Sequence, residues 1–128
     1  ETLNWAGLNG VKKGNVHFLG NWKFPLLSKF RFDVFWNAAS FGEMEPDIVR
    51  NYLSYVLDSC QNIYLLQSRK GKESTSKSGV VTPITFGDYN GMLTNFELVK
   101  ESDAFEAHRR MSQSGGYFQA VWRKESQE

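Results

Sequence analysis

The pattern that most constrains the fold is a strand, a helix and a second strand in immediate succession. Residues 32–37 are rich in β-forming side chains and lack strict alternation, which is typical of a strand buried on both faces. Residues 62–67 form a second compact apolar run. Because parallel strands need a long crossover, usually a helix, this order predicts a parallel pair. We expect residues 32–37 to be a central strand of an α/β sheet.

The helix of this unit is predicted to begin at Pro46 and to end near residues 59–60. Proline suits the first helical position, and the carboxylate of Asp47 interacts favourably with the dipole of the first turn. Apolar residues then recur at helical spacing and give the helix a wide buried face. These residues are Ile48, Val49, Tyr52, Leu53, Tyr55, Val56 and Leu57.

Three more strands are predicted outside this unit. Residues 15–20 are a short apolar run between two turns and predict the first strand of the chain. Residues 96–100 and 117–123 alternate polar and apolar side chains, and we expect them to pair as an antiparallel edge. Between them, Asp103 and Glu106 form a capping-box pattern that predicts a short helix through Met111.

Charge and cysteine content argue against several classes of function. The chain has 128 residues, the size of a single domain, with 15 Lys and Arg against 14 Asp and Glu. The resulting formal net charge of +1 predicts no general attraction to nucleic acid or to an anionic membrane. Cys60 is the only cysteine, and His17 and His108 lie far apart, so we expect no metal site. With no long apolar stretch or signal-like start, we expect a cytoplasmic protein that does not enter the membrane.

The loop after residues 32–37 is the expected place for a small-molecule site. In open α/β sheets, ligands bind outside the carboxyl ends of the strands. The loop combines small side chains, which permit close approach, with the amide of Asn37, the hydroxyl of Ser40 and the carboxylate of Glu43. This composition is typical of a site for a small polar ligand.

Residues 32–44, FDVFWNAASFGEM, resemble the strand and loop of sugar O-methyltransferases, in which the pattern F-D-hydrophobic-x-x-N-x-x-S-F-x-E-M recurs. The order of the predicted elements agrees with that family over roughly residues 15–124. The resemblance implies an S-adenosylmethionine-dependent enzyme with a doubly wound, Rossmann-like sheet. That sheet is mostly parallel, with strand order 3-2-1-4-5-7-6 and a C-terminal antiparallel hairpin. Residues 15–20 would be its third strand, and the substrate would be a sugar or glycan hydroxyl.

The resemblance also implies that part of such an enzyme is missing. The family's G-x-G cofactor loop and the acidic residue that holds the ribose follow its first and second strands. Neither has a counterpart, because residues 7–10 follow no apolar strand and residues 115–116 lie in the wrong half. We expect residues 1–128 to be the C-terminal portion of a methyltransferase domain, inactive alone. The exposed edge of residues 16–19 would then pair with a second copy or with the missing half.

The resemblance assigns two groups of residues to S-adenosylmethionine. The adenine would lie at the end of the family's third strand, against Gly20, Asn21 and Trp22. The methionine portion would lie after the following strand, against Asn37, Ala38 and Ser40. Stacking of the adenine on Trp22 is physically reasonable, but this indole could instead pack in the core with residues 24 and 26.

Two residues are candidates for the base that takes a proton from the sugar hydroxyl. Glu43 lies near the carboxyl end of the strand, although its carboxylate could simply interact with the dipole of the following helix. His108 is the second candidate, the alternative being a solvated histidine on a surface helix. The basic loop residues could meet a phosphate or nucleotide sugar or could simply be solvated; they are Arg69, Lys70, Lys72 and Lys77.

A second class of function stays open, namely a non-catalytic carbohydrate-binding or oligomerisation module. In such a module, exposed Trp or Tyr rings stack on a sugar or on a partner. Convergence of Trp22, Asn37 and Glu43 on one crevice would favour the enzyme. A flat, exposed aromatic surface would favour binding alone. Cys60 is predicted to be a small buried hydrophobe and His17 to be structural.

Overall fold

Two helices, four strands and two short 3₁₀ helices make up the described part of the chain. The computed structural model describes residue 14 and residues 16–72, 79–104 and 116–125. In chain order the elements are a 3₁₀ helix (Asn21–Lys29), β1 (Phe32–Ala38), a 3₁₀ turn (Phe41–Glu43), α1 (Pro46–Val56), β2 (Cys60–Ser68), α2 (Phe86–Met92), β3 (Phe96–Ala104) and β4 (Tyr117–Lys124).

The four strands form one mixed sheet in the order β1-β2-β4-β3. β1 and β2 are parallel, so the predicted parallel pair with a helix between its strands is confirmed. β4 lies antiparallel to both β2 and β3. The predicted antiparallel pairing of residues 96–100 with residues 117–123 is therefore also confirmed.

The expectation of a mostly parallel, doubly wound, Rossmann-like sheet is wrong. Of the three strand pairings in the described sheet, one is parallel and two are antiparallel. Helices α1 and α2 share one hydrophobic cluster with Ile63, Leu65 and Trp122, which point to the same face of the sheet. A doubly wound sheet has helices on both faces. The described part of this chain is a small α/β fold, and its two α-helices lie on one face of the mixed sheet.

The strand predicted at residues 15–20 is also wrong. Residues 16–20 have no regular secondary structure, and residue 15 lies outside the described residues. Val16 and Phe18 are 81% and 90% exposed, so this apolar run packs against no sheet. Among the described strands, β1 lies at the edge of the sheet and is not the central strand that the sequence suggested.

Helix α1 covers β1 and β2 through one apolar face. It begins at Pro46, as predicted, and buries Val49, Leu53 and Val56 completely or almost so. Full burial of such a side chain contributes roughly 1.5–3 kcal/mol to folding. Ile48, which was predicted to lie in the buried stripe, is 45% exposed. The buried face is therefore narrower than the sequence suggested.

Helix α2 begins with a capping box that the sequence analysis did not identify. The carboxylate of Asp88 accepts a hydrogen bond from the Thr85 N–H at 2.7 Å, and the Thr85 side chain caps the first turn in return. The cap offsets the cost of two glycines in this short helix. The capping box that the sequence predicts lies elsewhere in the chain. Its cap, Asp103, lies in β3, and residues 105–115 lie outside the described residues.

Candidate functional site

The carboxyl end of β1 turns sharply into an exposed loop. Ala39 adopts a φ of +62°, a left-handed conformation that is uncommon for a residue other than glycine. Its N–H donates to the Leu66 carbonyl of β2 at 2.8 Å, and the Ser40 N–H donates to the Ala38 carbonyl at 2.9 Å. Phe41 then enters the core and is only 2% exposed. The small, exposed residues 38–40 are thus held in place by the hydrogen bond to Leu66 of β2 and by the buried ring of Phe41.

A hydrogen-bonded network of side chains fixes this loop. Asn37 Nδ2 donates to Ser40 Oγ at 2.7 Å, and Gln67 Nε2 donates to Asn37 Oδ1 at 2.6 Å. Gln67 Oε1 in turn accepts the Gly42 N–H at 3.3 Å. The fully buried amide of Gln67 therefore orients Asn37 and holds the 3₁₀ turn of the loop against the end of β2.

Gln67 is the residue at this site that sequence reasoning missed. It alternates with Ile63 and Leu65 along β2, so its side chain points to the buried face. A buried amide needs hydrogen-bond partners, and a glutamine in the buried register of a strand is the signal that could have identified it. The partners themselves, Asn37 and Gly42, are visible only in the folded chain.

The segment that follows β2 is tied to the loop that follows β1. The Lys72 ammonium forms an ion pair with the Glu43 carboxylate. The Glu45 carboxylate accepts the N–H groups of Val81 and Thr82, the latter at 3.0 Å. Lys72 and Glu43 are largely exposed, so their ion pair contributes less than about 1 kcal/mol. Its main effect is to place a positive charge beside the candidate base.

Gly71 allows the start of this segment to lie against residue 84. Its φ is +73°, and a Cβ at this position would lie 2.5 Å from the Ile84 carbonyl oxygen. The Ser68 hydroxyl donates to the Gly71 carbonyl at 3.0 Å. Only glycine can adopt this conformation and also permit the close approach of residue 84.

Trp22 is not part of the hydrogen-bonded loop. It lies in the first 3₁₀ helix, is 77% exposed, and its indole covers Gly20 so closely that a Cβ there would lie 2.4 Å from the ring. Phe24, not Trp22, packs inward, with its ring centroid 4.9 Å from that of Tyr52. The neighbouring Asn21 is exposed. The structure therefore brings together Asn37, Ala38, Ser40 and Glu43 in one loop but leaves Gly20, Asn21 and Trp22 in a separate element.

The other candidate residues have different surroundings. Arg69 pairs with Glu101 and with Asp103, the latter at 2.7 Å, and its guanidinium lies 5.9 Å from the ring centroid of Phe86. Burial acts to lower the pKa of Arg69, but the two carboxylates outweigh it and raise that pKa overall. Arg69 thus joins β2 to β3 rather than facing a ligand. His108 and Lys77 lie outside the described residues.

Two further predictions concern single residues. Cys60 is fully buried, as predicted, and burial raises the pKa of its thiol. His17 is half-buried, and its Nε2 has no hydrogen-bond partner among the described residues. Neither residue lies in the loop after β1.

Within residues 16–72, 79–104 and 116–125, no helix is both long and apolar enough to cross a membrane. In the same ranges, no group of three or more His, Cys, Asp or Glu side chains could hold a metal ion. No protein-family model matches the sequence, and no curated protein matches it significantly.

Proposed function

We propose that this chain is part of an S-adenosylmethionine-dependent O-methyltransferase that acts on a sugar hydroxyl. The observation that carries the proposal is the loop after β1. Residues 32–44, on which the resemblance to sugar O-methyltransferases rests, form a strand and an exposed loop at the carboxyl end of the parallel pair. This end of the strands is where α/β sheets bind ligands.

The residues of the loop fit the methionine end of S-adenosylmethionine. Ser40 Oγ accepts the hydrogen bond from Asn37, which leaves the hydroxyl proton of Ser40 to donate to a ligand carboxylate. Ala38 and Ala39 are exposed and small, so a ligand can approach the backbone closely. The buried amide of Gln67 fixes the orientation of Asn37 through a hydrogen bond. These residues would contact one side of the cofactor.

Glu43 is the residue that we assign as general base. S-adenosylmethionine, when bound, supplies a methyl group on a sulfonium sulfur. With S-adenosylmethionine bound as the methyl donor, the sugar hydroxyl would lose its proton as it is methylated, and Glu43 would accept that proton. The Glu43 carboxylate lies beside the Lys72 ammonium, and its side chain is 59% exposed, so a sugar can reach it.

Calorimetric titration with S-adenosylmethionine tests cofactor binding. It uses the 128-residue chain and a form extended before Glu1, and we expect heat of binding at least from the extended form. Ser40→Ala should weaken that binding at least fivefold, because the donor to the ligand carboxylate is lost. Ser54→Ala, which changes an exposed serine of α1, should not. Absence of heat from the extended form contradicts the proposal.

Methyl transfer from labelled S-adenosylmethionine to a panel of sugars tests the assignment of the base. We expect Glu43→Gln to lower kcat at least a hundredfold with little change in cofactor affinity, because the proton acceptor is removed. Glu97→Gln, an exposed carboxylate on β3, is the matched control. Equal rates for both variants would show that Glu43 is not the base.

A non-catalytic carbohydrate-binding module is the second candidate. Trp36 is 71% exposed, and its ring centroid lies 5.7 Å from that of Tyr64, so the chain does present an aromatic surface. A sugar site also needs free hydrogen-bonding groups. Here the Tyr64 hydroxyl donates to Gln119 at 3.2 Å, and Asn62 Nδ2 donates to the Asp33 carbonyl at 3.0 Å. This surface therefore suits an apolar partner better than a sugar.

A further inference from the structure

We infer that the outer edge of β1 and the apolar surface beside it form an interface between two copies of this chain. This inference concerns the 128-residue chain and goes beyond the proposed function, under which a strand of a longer chain would take the place of the second copy at this edge. It rests on three observations. β1 lies at an edge of the described sheet, and its most exposed large side chains are apolar. When β1 pairs with the β1 of a second copy, no like charges are opposed.

β1 is an unprotected edge. In the described sheet it has one neighbour, β2, so half of its backbone N–H and C=O groups face away from the sheet. Edge strands usually avoid further pairing through charged side chains, prolines or bulges. β1 carries one charged residue, Asp33, and its register against β2 runs without a shift from Val34 to Ala38. Nothing in the strand itself prevents another strand from pairing with it.

The surface beside this edge is apolar. Val34 and Trp36 project from β1 on the face opposite the helices and are 54% and 71% exposed. With Tyr64 and Val121 they line an open groove of about 450 Å³. Asn62 Nδ2 and the Tyr64 hydroxyl, which border the groove, already form hydrogen bonds within the chain. Exposed apolar grooves of this kind commonly mark contacts with other proteins.

The apolar character is confined to the β1 side of that face. Toward β3, Gln119 donates to the Ser102 hydroxyl at 3.2 Å and accepts from the Tyr64 hydroxyl. Lys100, opposite Val121, adds a charge. The face thus changes from apolar at β1 to polar at β3. The apolar part is continuous with the free edge, so one partner can cover both.

A second copy matches this edge. A two-fold axis perpendicular to the sheet places β1 antiparallel to the β1 of the other copy. In a register centred on Phe35, Val34 faces the partner's Trp36 on the open face, an aromatic and β-branched pair that is favourable across strands. Asp33 then faces the amide of the partner's Asn37, so no like charges are opposed. A second copy therefore supplies both the strand and the apolar side chains that this edge requires.

Sedimentation velocity of the 128-residue chain at tens of micromolar is the first test. We expect a species of twice the 14.7 kDa chain mass. Trp36→Lys should raise the dissociation constant of the dimer at least tenfold, because it puts two charges into the interface. Trp22→Lys removes an equally exposed indole from the first 3₁₀ helix and should leave the dimer unchanged. A monomer at every concentration, or equal effects of the two variants, overturns the inference.

Disulfide trapping is the second test, and it does not depend on how Trp36→Lys folds. The native Cys60 is fully buried, so an introduced cysteine is the accessible thiol among the described residues. An equimolar mixture of Val34→Cys and Trp36→Cys, two positions that face each other in this register, should give a covalent dimer of the two variants under mild oxidation with diamide. A mixture of Val34→Cys and Val99→Cys, the latter at an exposed position of β3, should remain monomeric under the same conditions. Equal trapping in both mixtures would show that the edge of β1 is not a specific interface.

Discussion

β1 and β3 are both edge strands of one sheet, but their exposed sides differ. β3 carries four charged residues and a register shift between Leu98 and Lys100. β1 carries one charged residue and an exposed Trp36. Charges and bulges prevent edge pairing, whereas an apolar, regular edge invites it. The difference indicates that the sheet ends at β3 and is open to a further strand at β1.

The two edges are also held to the rest of the chain by different chemistry. Arg69 joins β3 to the end of β2 through ion pairs with Glu101 and Asp103. The end of β1 is held by neutral amides, since Gln67 donates to Asn37. Substitution of Arg69 therefore measures what the ion pairs contribute to stability at the β3 edge. Substitution of Gln67 measures what the amide hydrogen bonds contribute at the β1 edge.

The largest effect is expected from Arg69→Met, which should lower the free energy of unfolding by about 2–3 kcal/mol. The substitution removes the ion pairs of Arg69 with two partly buried carboxylates and the contact of the guanidinium with two aromatic rings. Urea denaturation measures the change. Arg50→Met, at an exposed position of α1, is the control. A loss below about 1 kcal/mol would show that β3 does not depend on this cluster.

Gln67→Leu should lower the free energy of unfolding by about 1–2 kcal/mol. The leucine fits the apolar register of β2 but leaves Asn37 Oδ1 and the Gly42 N–H without their partner. Gln61→Leu, an exposed glutamine of the same strand, is the matched control for urea denaturation. If both variants have the same stability, the amide network does not hold the β1 loop.

Tyr89→Phe should raise the free energy of unfolding by about 1 kcal/mol. Tyr89 lies under the β4 half of the sheet, where its ring contacts Phe118, and its buried hydroxyl has no hydrogen-bond partner among the described residues. Tyr64→Phe, which loses a hydrogen bond to Gln119, should be destabilising instead. Thermal unfolding of the two variants checks the opposite signs.

The buried hydroxyl of Tyr89 also predicts a loss of stability at alkaline pH. Burial, and to a lesser extent the charge of Asp88, raise the pKa of Tyr89. The unfolded chain therefore ionises first, so this contribution to stability is full below the ordinary tyrosine pKa of about 10 and declines above it. Tyr89→Phe should lose less stability between about pH 9 and pH 11 than the natural chain. Parallel curves for the two proteins would contradict this assignment.

The smallest effect is expected from Lys100→Thr on β3. Its free energy of unfolding should change by less than about 0.5 kcal/mol, because the side chain is exposed. Its mass in sedimentation should match that of the natural chain, because the register shift at residues 98–100 remains. If the variant forms larger species, the charge rather than the bulge protects this edge.

The sequence predicts most elements of the fold but not their place in the sheet. The apolar runs at residues 32–37 and 62–67 and the proline at position 46 mark β1, β2 and the start of α1 correctly. An apolar run alone does not distinguish a central strand from an edge strand, because Val34 and Trp36 of β1 are as hydrophobic as core residues. The same ambiguity produced the strand that was wrongly predicted at residues 15–20.

The candidate site is predictable to a similar degree. The amide and hydroxyl of Asn37 and Ser40 stand at the end of a predicted strand, so the sequence identifies their loop. Their hydrogen bond to each other and the contact with Gln67 depend on the register of β1 against β2. That register results from long-range pairing, and local sequence does not specify it.

The close contact at Gly71 restricts which residue position 71 can hold. The Gly71 backbone lies against the Ile84 carbonyl, and Glu45 binds the backbone of Val81 and Thr82. These two contacts bring the chain after β2 and the chain before α2 together beside the loop after β1. A Cβ at position 71 would push residue 84 away, so relatives of this protein should keep glycine there.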